Sequence, residues 1–386
     1  MVRKLRVGVL FGGQSNEHEV SLASARSVMR AMDPDKYEIV PIGITKQGLW
    51  LTSGDPMTQL RSGVDASSVP QLGSLLAPDP TGEGPAEIVE LSGGNSPSQA
   101  MSARFSQQID IIFPVLHGPM GEDGTIQGML ELAGIPYVGA GVLGSAVGMD
   151  KAMMKEVFVA RGLPVAPYLL VTRKRWRTDP VAVQLDAERR LTYPMFAKPS
   201  NMGSSVGVSK IHGPEEFAEA VNLAVRYDRR ILVEQGLEAR ECECAVLGND
   251  EPQASVVGEI VPGNEFYDYR AKYVDDNSTP VIPAEISETF SEEIRRLAVD
   301  AFKAIDGAGM ARVDFFLERD LSAVWINEVN TIPGFTRISM YPKLWEASGI
   351  PYSELIDRLI ELAIERHEDR KLNSEGLNDV GGDLNV

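Results

Sequence analysis

The chain has 386 residues, with 37 Lys and Arg against 55 Asp and Glu for a formal net charge of -18; 43% of residues are hydrophobic and 24% charged. At roughly 100–200 residues per domain, that length argues against a single small binding module and allows two or three domains, each with its own core. The acidic balance argues against coating duplex nucleic acid or an anionic membrane, because both need a basic face to neutralise phosphates. A phosphate bound here must meet locally gathered cations.

The basic start runs into an apolar stretch at residues 7–11 that is too short for a signal-peptide core. No stretch reaches the roughly 20 apolar residues needed to span a bilayer. Cys242 and Cys244, two apart on a strand, are a poor disulfide pair, so a soluble cytoplasmic protein is expected. Residues 7–11 read as a buried strand ending at Gly12-Gly13. Asn16 and Glu19 then stand at capping-box spacing, and Val20, Ala23, Ser27, Val28 and Ala31 follow at helical intervals. Strand, glycine turn and helix open an α/β domain whose ligands gather at strand C-terminal ends.

Residues 39–44 and 109–116 are further buried strands. Residues 53–108, rich in Ser, Gly, Pro and Gln, read as a surface insertion with little regular structure. A helix over 126–133 and a short strand at 136–138 close a first domain, 1–145. Asp150 caps a helix expected to carry Met153, Met154, Val157 and Phe158 on one face, and Gly162-Leu163-Pro164 stops it. Strand-like segments at 196–198, 206–208 and 231–234 mark a central domain, 146–233. A third, 234–371, holds a strand at 244–247, a helix at 292–305 and strands at 312–317 and 324–330. The tail, 372–386, is rich in Gly, Asn and Asp and expected to be disordered.

The last two strands carry the densest chemistry. Alternation puts Arg312 and Asp314 on one face, and likewise Glu328 and Asn330. If residues 319–323 form an odd-length hairpin loop centred on Leu321, Asp314 lies opposite Glu328 and Arg312 opposite Asn330. Like charges so placed destabilise a sheet unless a cation sits between them, and two carboxylates with an amide oxygen suit Mg²⁺. The plain alternative is a solvated polar face in which Arg312 neutralises Asp314.

Residues 198–207 offer glycine-rich backbone N–H groups and Lys198 at a strand end, suited to a polyphosphate; otherwise they form a structural hairpin with two exposed serines. Gly203-x-Ser205-x-Gly207 also matches by letter the elbow of a serine hydrolase. An elbow needs a helix directly after the serine, whereas Val206, Val208 and Ile211 continue in β-type sequence. His18, His117, His212 and His367 lack metal-ligand spacing, though His117 ends a buried strand where a ligand could lie. Residues 266–273 interleave aromatics with cations, either as an exposed edge or as a lid that brings Lys272 to a phosphate.

The pieces also stand in one order: Gly12-Gly13-x-Ser15-x-Glu17-x-Glu19-Val20-Ser21, His117-Gly118-x-x-Gly121-Glu122-Asp123-Gly124, Met149-Asp150-Lys151, Lys198-Pro199 with Gly203-Ser204-Ser205-x-Gly207, Tyr267-Asp268-Tyr269-x-Ala271-Lys272-Tyr273, Arg312-x-Asp314, and Glu328-x-Asn330-Thr331-x-Pro333-Gly334. Over about residues 5–365 this ordered set resembles the D-alanine-D-alanine ligases of the ATP-grasp superfamily. The resemblance implies an α/β (α+β) fold of three domains, a Rossmann-like N-terminal domain followed by central and C-terminal ATP-grasp domains with antiparallel sheets. It implies that ATP phosphorylates one D-alanine and that the amine of a second attacks the acyl phosphate, giving a dipeptide for peptidoglycan. D-Alanine and ATP are the implied partners, with no nucleic acid or membrane and a homodimer allowed. Two Mg²⁺ ions, for which Mn²⁺ can substitute, are the implied cofactors.

By the same resemblance Lys151 and Lys198 contact the ATP phosphates, with Lys272 near the γ-phosphate and Phe266 in the nucleotide site. Asp314, Glu328 and Asn330 hold the metal ions. Glu234, Gln235 and Leu237 fall on the strand that meets adenine, where Gln235 replaces a common lysine, and Glu241 matches a ribose-binding carboxylate. Glu17 binds the first D-alanine's ammonium with His117 nearby; Arg312 and the Gly334 N–H stabilise an oxyanion; Ser339 holds the second D-alanine's carboxylate. Ser204 and Tyr273 link with Glu17 to close the lid. The intact lid favours an amine nucleophile over D-lactate, so a D-alanine-D-lactate ligase is the runner-up, ahead of a serine hydrolase or a non-catalytic ATP-binding module.

Overall fold

The computed structural model describes residues 3–51, 54–62, 109–261, 279–336 and 338–381, with 373–381 as backbone. The segment 63–108 and the lid residues Phe266, Lys272 and Tyr273 lie outside the described residues. Among the described residues no helix is long and apolar enough to cross a membrane.

The strands fall into three sheets. The first joins β1 (Leu5–Gly12), β2 (Tyr37–Ile44), β3 (Trp50–Leu51) and β4 (Ile111–Val115) in the order β3-β2-β1-β4. β1 lies parallel to both β2 and β4, and its near-continuous apolar run is what a strand covered on both faces requires. The helix His18–Ala31 packs on this sheet, but the capping box does not form: Glu17 is the N-cap and makes no side-chain cap bond. The Glu17 N–H donates to Ser15 Oγ at 3.0 Å instead, and its carboxylate is drawn away by Ser204. The strand expected at 136–138 shrinks to a single bridge between Ile112 and Tyr137. Inside the expected insertion a short helix, Pro56–Ser62, does form. Asp55 starts it by accepting from Thr58 N–H at 3.2 Å, and the fixed φ of Pro56 suits the first turn.

The central sheet contains β5 (Tyr168–Thr172), β6 (Met195–Pro199), β7 (Ser209–Ile211) and β8 (Arg230–Gln235), ordered β5-β8-β6-β7 and antiparallel throughout. β8 runs two residues beyond the boundary expected at 233. The helix Pro214–Tyr227 covers the sheet with Phe217, Ala220, Val221, Ala224 and Val225, an i, i+3, i+4, i+7, i+8 stripe. The strand expected at 206–208 is a turn. Ser204 (φ 51°), Ser205 (φ 57°) and Gly207 (φ 73°) adopt left-handed conformations that no strand accommodates. Strand and not helix follows the turn, so the geometry of a hydrolase elbow is absent.

β9 (Ala239–Gly248), β10 (Gln253–Val261), β11 (Thr279–Val281), β12 (Gly309–Glu318) and β13 (Val324–Asn330) form the third sheet, ordered β11-β10-β9-β12-β13. The helix Glu288–Ala304 packs on it, and both cysteines are buried and free. Arg312 does pair with Asn330 and Asp314 with Glu328, but not through a loop centred on Leu321. Leu317 pairs with Val324 and Phe315 with Ile326, and the register shifts between Phe315 and Asp314. The extra residue is Asn327. In a regular strand Val324, Ile326, Glu328 and Asn330 would share one face. The bulge lets Val324 and Ile326 enter the core while Glu328 and Asn330 turn to the other side, a role bulges often take beside active sites.

The helix Lys151–Ala160 joins the first sheet to the central one. Asp150 caps it by accepting from Met153 N–H at 3.1 Å, also accepts from Ser200 Oγ at 2.7 Å and is paired with Arg230. Met153, expected on the packed face, is 40% exposed; Ala152, Met154, Lys155 and Phe158 form that face instead. Asp150→Ala removes the cap, worth about 1 kcal/mol, and leaves Arg230 without its buried partner. A loss of about 2–4 kcal/mol is expected, read as a lower denaturation midpoint with an unchanged denaturant slope.

The C-terminal helix, Tyr352–Gly381, returns to the first domain. Leu355, Ile356, Leu359, Ile360 and Ala363 enter a core shared with β1, β4 and the third sheet. Asp357 pairs with Lys36 at 2.6 Å and accepts from Tyr37 OH at 2.8 Å. The helix passes Leu372, where the disordered tail is expected to begin, because each residue added to an anchored helix gains a hydrogen bond without a new nucleation cost.

Candidate active site

The turn between β6 and β7 brings the chemistry together. Lys151, at the first turn of its helix, donates to Met202 O at 3.0 Å and pairs with Glu328 Oε2 at 3.0 Å. One ammonium therefore ties the glycine-rich turn of the central sheet to the outward face of β13. Lys198, on β6, pairs with Glu234 Oε2 at 2.5 Å. Across from them Asp314 grips Arg312 in a fork, Oδ1 to Nε and Oδ2 to Nη2, each 2.7 Å. Asn330 Nδ2 donates to Asp314 Oδ2 at 3.0 Å. Glu243, on the neighbouring β9, lies 3.1 Å from Arg312 Nε.

Asp314, Glu328 and Asn330 thus present two carboxylates and an amide whose oxygen has no partner among the described hydrogen bonds. That is a hard-oxygen set, and it fits Mg²⁺. Among the described residues no three His, Cys, Asp or Glu side chains converge as a metal site; the third donor here is an amide.

A concavity of about 220 Å³ lies at the C-terminal end of β1 and is lined by Ser15, Glu17, Met120, Gly203 and Ser204. Glu17 is buried and accepts a hydrogen bond from Ser204 Oγ. Ser204 reaches it because its φ is positive, a strained state for a residue with a side chain. Gly118 is required beside it: φ is 76°, and a Cβ there would sit 2.7 Å from Ser15 Oγ.

Glu122 is held beside Gly118. Its Oε2 accepts from Gly118 N–H at 2.6 Å and its Oε1 from Ile332 N–H at 3.3 Å. Burial, then the neighbouring Glu17 charge, push its pKa up to about 8 against those two donors. Glu122 therefore keeps its proton at neutral pH, which avoids two like charges side by side. His117 Nδ1–H donates to Ile332 O at 3.1 Å, which leaves Nε2 to accept from Ser24 Oγ at 3.3 Å. Burial lowers the His117 pKa although Glu17 opposes the shift, so it acts as a neutral brace of the Ile332 loop.

That loop continues to Gly334 and Ser339. A Cβ on Gly334 would lie 2.7 Å from Ser339 Oγ, which also meets Thr336 N at 3.0 Å. Of the expected adenine segment, Leu237 is half-buried in the link to β9. The Gln235 side chain is turned away to the preceding turn, accepting from Thr192 N–H at 2.8 Å and donating to Thr192 O at 2.9 Å. The Glu234 carboxylate is likewise occupied, by lysines. Glu241 lies on β9 opposite Phe316. Glu122, Glu243 and Lys155 carry no expected role in the sequence reading. Lys155 left one trace, a lysine standing among buried positions of an amphipathic helix.

Two antiparallel sheets facing one another across Lys151, beside a mainly parallel sheet with an acidic pocket at its strand ends, are the layout of the ATP-grasp fold. Residues 6–140 match the family described as D-ala D-ala ligase N-terminus and residues 157–361 the D-ala D-ala ligase C-terminus. The chain belongs to the D-alanine-D-alanine ligase family. It is 55% identical to a D-alanine--D-alanine ligase of Ruminiclostridium cellulolyticum over 95% of this chain and 97% of that one. It is 50% identical to one of Chloroherpeton thalassium over 96% and 99%. Among solved structures it resembles the D-alanine-D-alanine ligase of Coxiella burnetii, with a TM-score of 0.77 at 35% identity, covering 98% of this chain and 99% of that one. It also resembles the VanG D-Ala:D-Ser ligase of Enterococcus faecalis, with a TM-score of 0.76 at 35% identity over 94% and 100%.

Proposed function

We infer that the chain uses ATP to join two D-alanines into D-alanyl-D-alanine for peptidoglycan precursors, in the cytoplasm. The full-length kinship with ligases of that name carries this reading, and the pocket chemistry supports it. A carboxylate is a poor electrophile until phosphorylated. Its oxygen attacks the γ-phosphorus of ATP and ADP leaves; the amine of the second D-alanine then attacks the acyl carbon, loses a proton, and phosphate departs.

In this reading Glu17, with Glu122 behind it, receives the ammonium of the first D-alanine. Lys151 and Lys198 meet the phosphates from the central domain, and Lys272 is assigned to the γ-phosphate from the lid, with Phe266 and Tyr273. Asp314, Glu328 and Asn330 would hold two Mg²⁺ ions, or Mn²⁺, which neutralise charge between the phosphates. Arg312 and the Gly334 N–H face the oxyanion of the tetrahedral intermediate, where fixed donors contribute most. Ser339 holds the second carboxylate, Leu237 with the backbone of Glu234 and Gln235 the adenine, and Glu241 the ribose.

Phosphate release is measured with ATP, Mg²⁺ and D-alanine, with L-alanine as control and D-serine or D-lactate as competing second substrates. Release with D-alanine alone and a D-alanyl-D-alanine product are expected. Equal release with L-alanine would refute the reading, and a predominant D-alanyl-D-serine or D-alanyl-D-lactate product would move the chain to another nucleophile.

A further inference from the structure

The helix Lys151–Ala160 buries one charged side chain that none of these steps uses. Lys155 is 1% exposed, and its Nζ lies 2.6 Å from Oε1 of Glu234, itself 2% exposed. The other oxygen of that carboxylate lies 2.5 Å from Nζ of Lys198. Lys155 is closed off from any ligand, with the Tyr168 ring centroid 5.9 Å from its Nζ. The Lys198 side chain is 13% exposed, the most of the three.

Taking an ammonium out of water costs several kcal/mol, and apolar side chains of similar shape often stabilise a protein as well as a buried ion pair does. Stability is therefore a poor account of Lys155. Charge gives a better one. With Lys198 alone, the Glu234 carboxylate would make a neutral pair and hold the ammonium back from an anion. With Lys155 on its second oxygen, the three groups sum to +1, and the excess lies on the most exposed of them.

We propose that Lys155 is a positioning residue for the nucleotide: it takes up the charge of Glu234, so that Lys198 presents an uncompensated cation to the ATP phosphates. The inference rests on the assignment of Lys198 to ATP. Burial would raise the Glu234 carboxyl, yet Lys155 and then Lys198 hold it down to about 2. Burial lowers the Lys155 pKa, and Glu234 opposes that loss. The carboxylate is thus charged at neutral pH and needs both partners.

A double-mutant cycle separates this role from packing. The affinity for ATP is read by displacement of a fluorescent ATP analogue, without turnover, alongside thermal melting of each variant. Lys155→Met is expected to weaken ATP binding at least tenfold when Glu234 is present, and less than threefold in a chain that also carries Glu234→Gln, where no charge remains to be taken up. Equal effects in the two backgrounds, or no effect in either, would overturn the proposal. If Lys155→Met alone does not fold, Lys155→Gln, neutral but polar, replaces it in both backgrounds and is judged by the same two criteria. A wild-type chain that binds ATP but releases no phosphate with D-alanine refutes the ligase reading while leaving the cycle readable.

Discussion

Glu328→Gln is expected to give a folded chain whose D-alanine-dependent phosphate release is slower by about 10³-fold, roughly 4 kcal/mol of transition-state stabilisation. The side chain leaves β13 on the outward face, beyond the Asn327 bulge, so the substitution leaves the core packing of Val324, Ile326 and Val329 untouched. What changes is charge. Glutamine keeps one carbonyl oxygen but not the carboxylate that faces Asp314 and pairs with Lys151 at 3.0 Å. A hard dication prefers the carboxylate strongly, so both the proposed metal-binding set and the placement of Lys151 suffer together. Circular dichroism checks the fold and phosphate release the rate; turnover within tenfold of wild type would remove Glu328 from the site.

Arg312→Ala is expected to lower kcat by about 10²–10³-fold while leaving KM for ATP within a few-fold, because a group that meets charge developing in the transition state contributes little to ground-state binding. It also carries a stability cost. The guanidinium sits between Asp314 and Glu243, and removing it leaves two acids facing one another on adjacent strands. A lower melting temperature should therefore accompany the slower rate. Arg312→Lys should recover much of the stability but remain at least about tenfold slow, since an ammonium supplies charge without the planar fork. A parallel rise in KM for ATP with kcat unchanged would mean that Arg312 binds nucleotide instead of stabilising the oxyanion.

The legibility of the site varied with the range of the interactions that build it. Asp314 facing Glu328 was readable because alternation along a strand is a local property. The loop geometry used to reach that pairing was nevertheless wrong, and a bulge one residue away supplied the correct register. Residues 206–208 read as a strand because Val206 and Val208 are β-formers, and the positive φ of Ser204 and Ser205 that makes them a turn was not visible, since nothing local favours it. The Glu17–Ser204 bond that accompanies that strain spans 187 residues. The Asn16–Glu19 capping box failed because the helix starts one residue later, with Glu17 as its N-cap, and Glu19 pairs with Lys46 instead.

By itself the sequence determined the order of the motifs and most of the strands and helices that carry them, because strand alternation, helical stripes, caps and glycine turns are written in residues a few positions apart. Only the tertiary structure decided which charges are buried and what balances them. The helical stripe could place Lys155 among buried positions, but its role stayed unreadable until Glu234 and Lys198 stood beside it. Asp150 was legible as a helix cap but not as the partner of Arg230, 80 residues on, and nothing local showed that Asp357 of the last helix would meet Lys36 and Tyr37 of the first sheet. The physical reason is desolvation. The cost of a buried charge, and the identity of the partner that offsets it, do not exist until distant segments have excluded water between them.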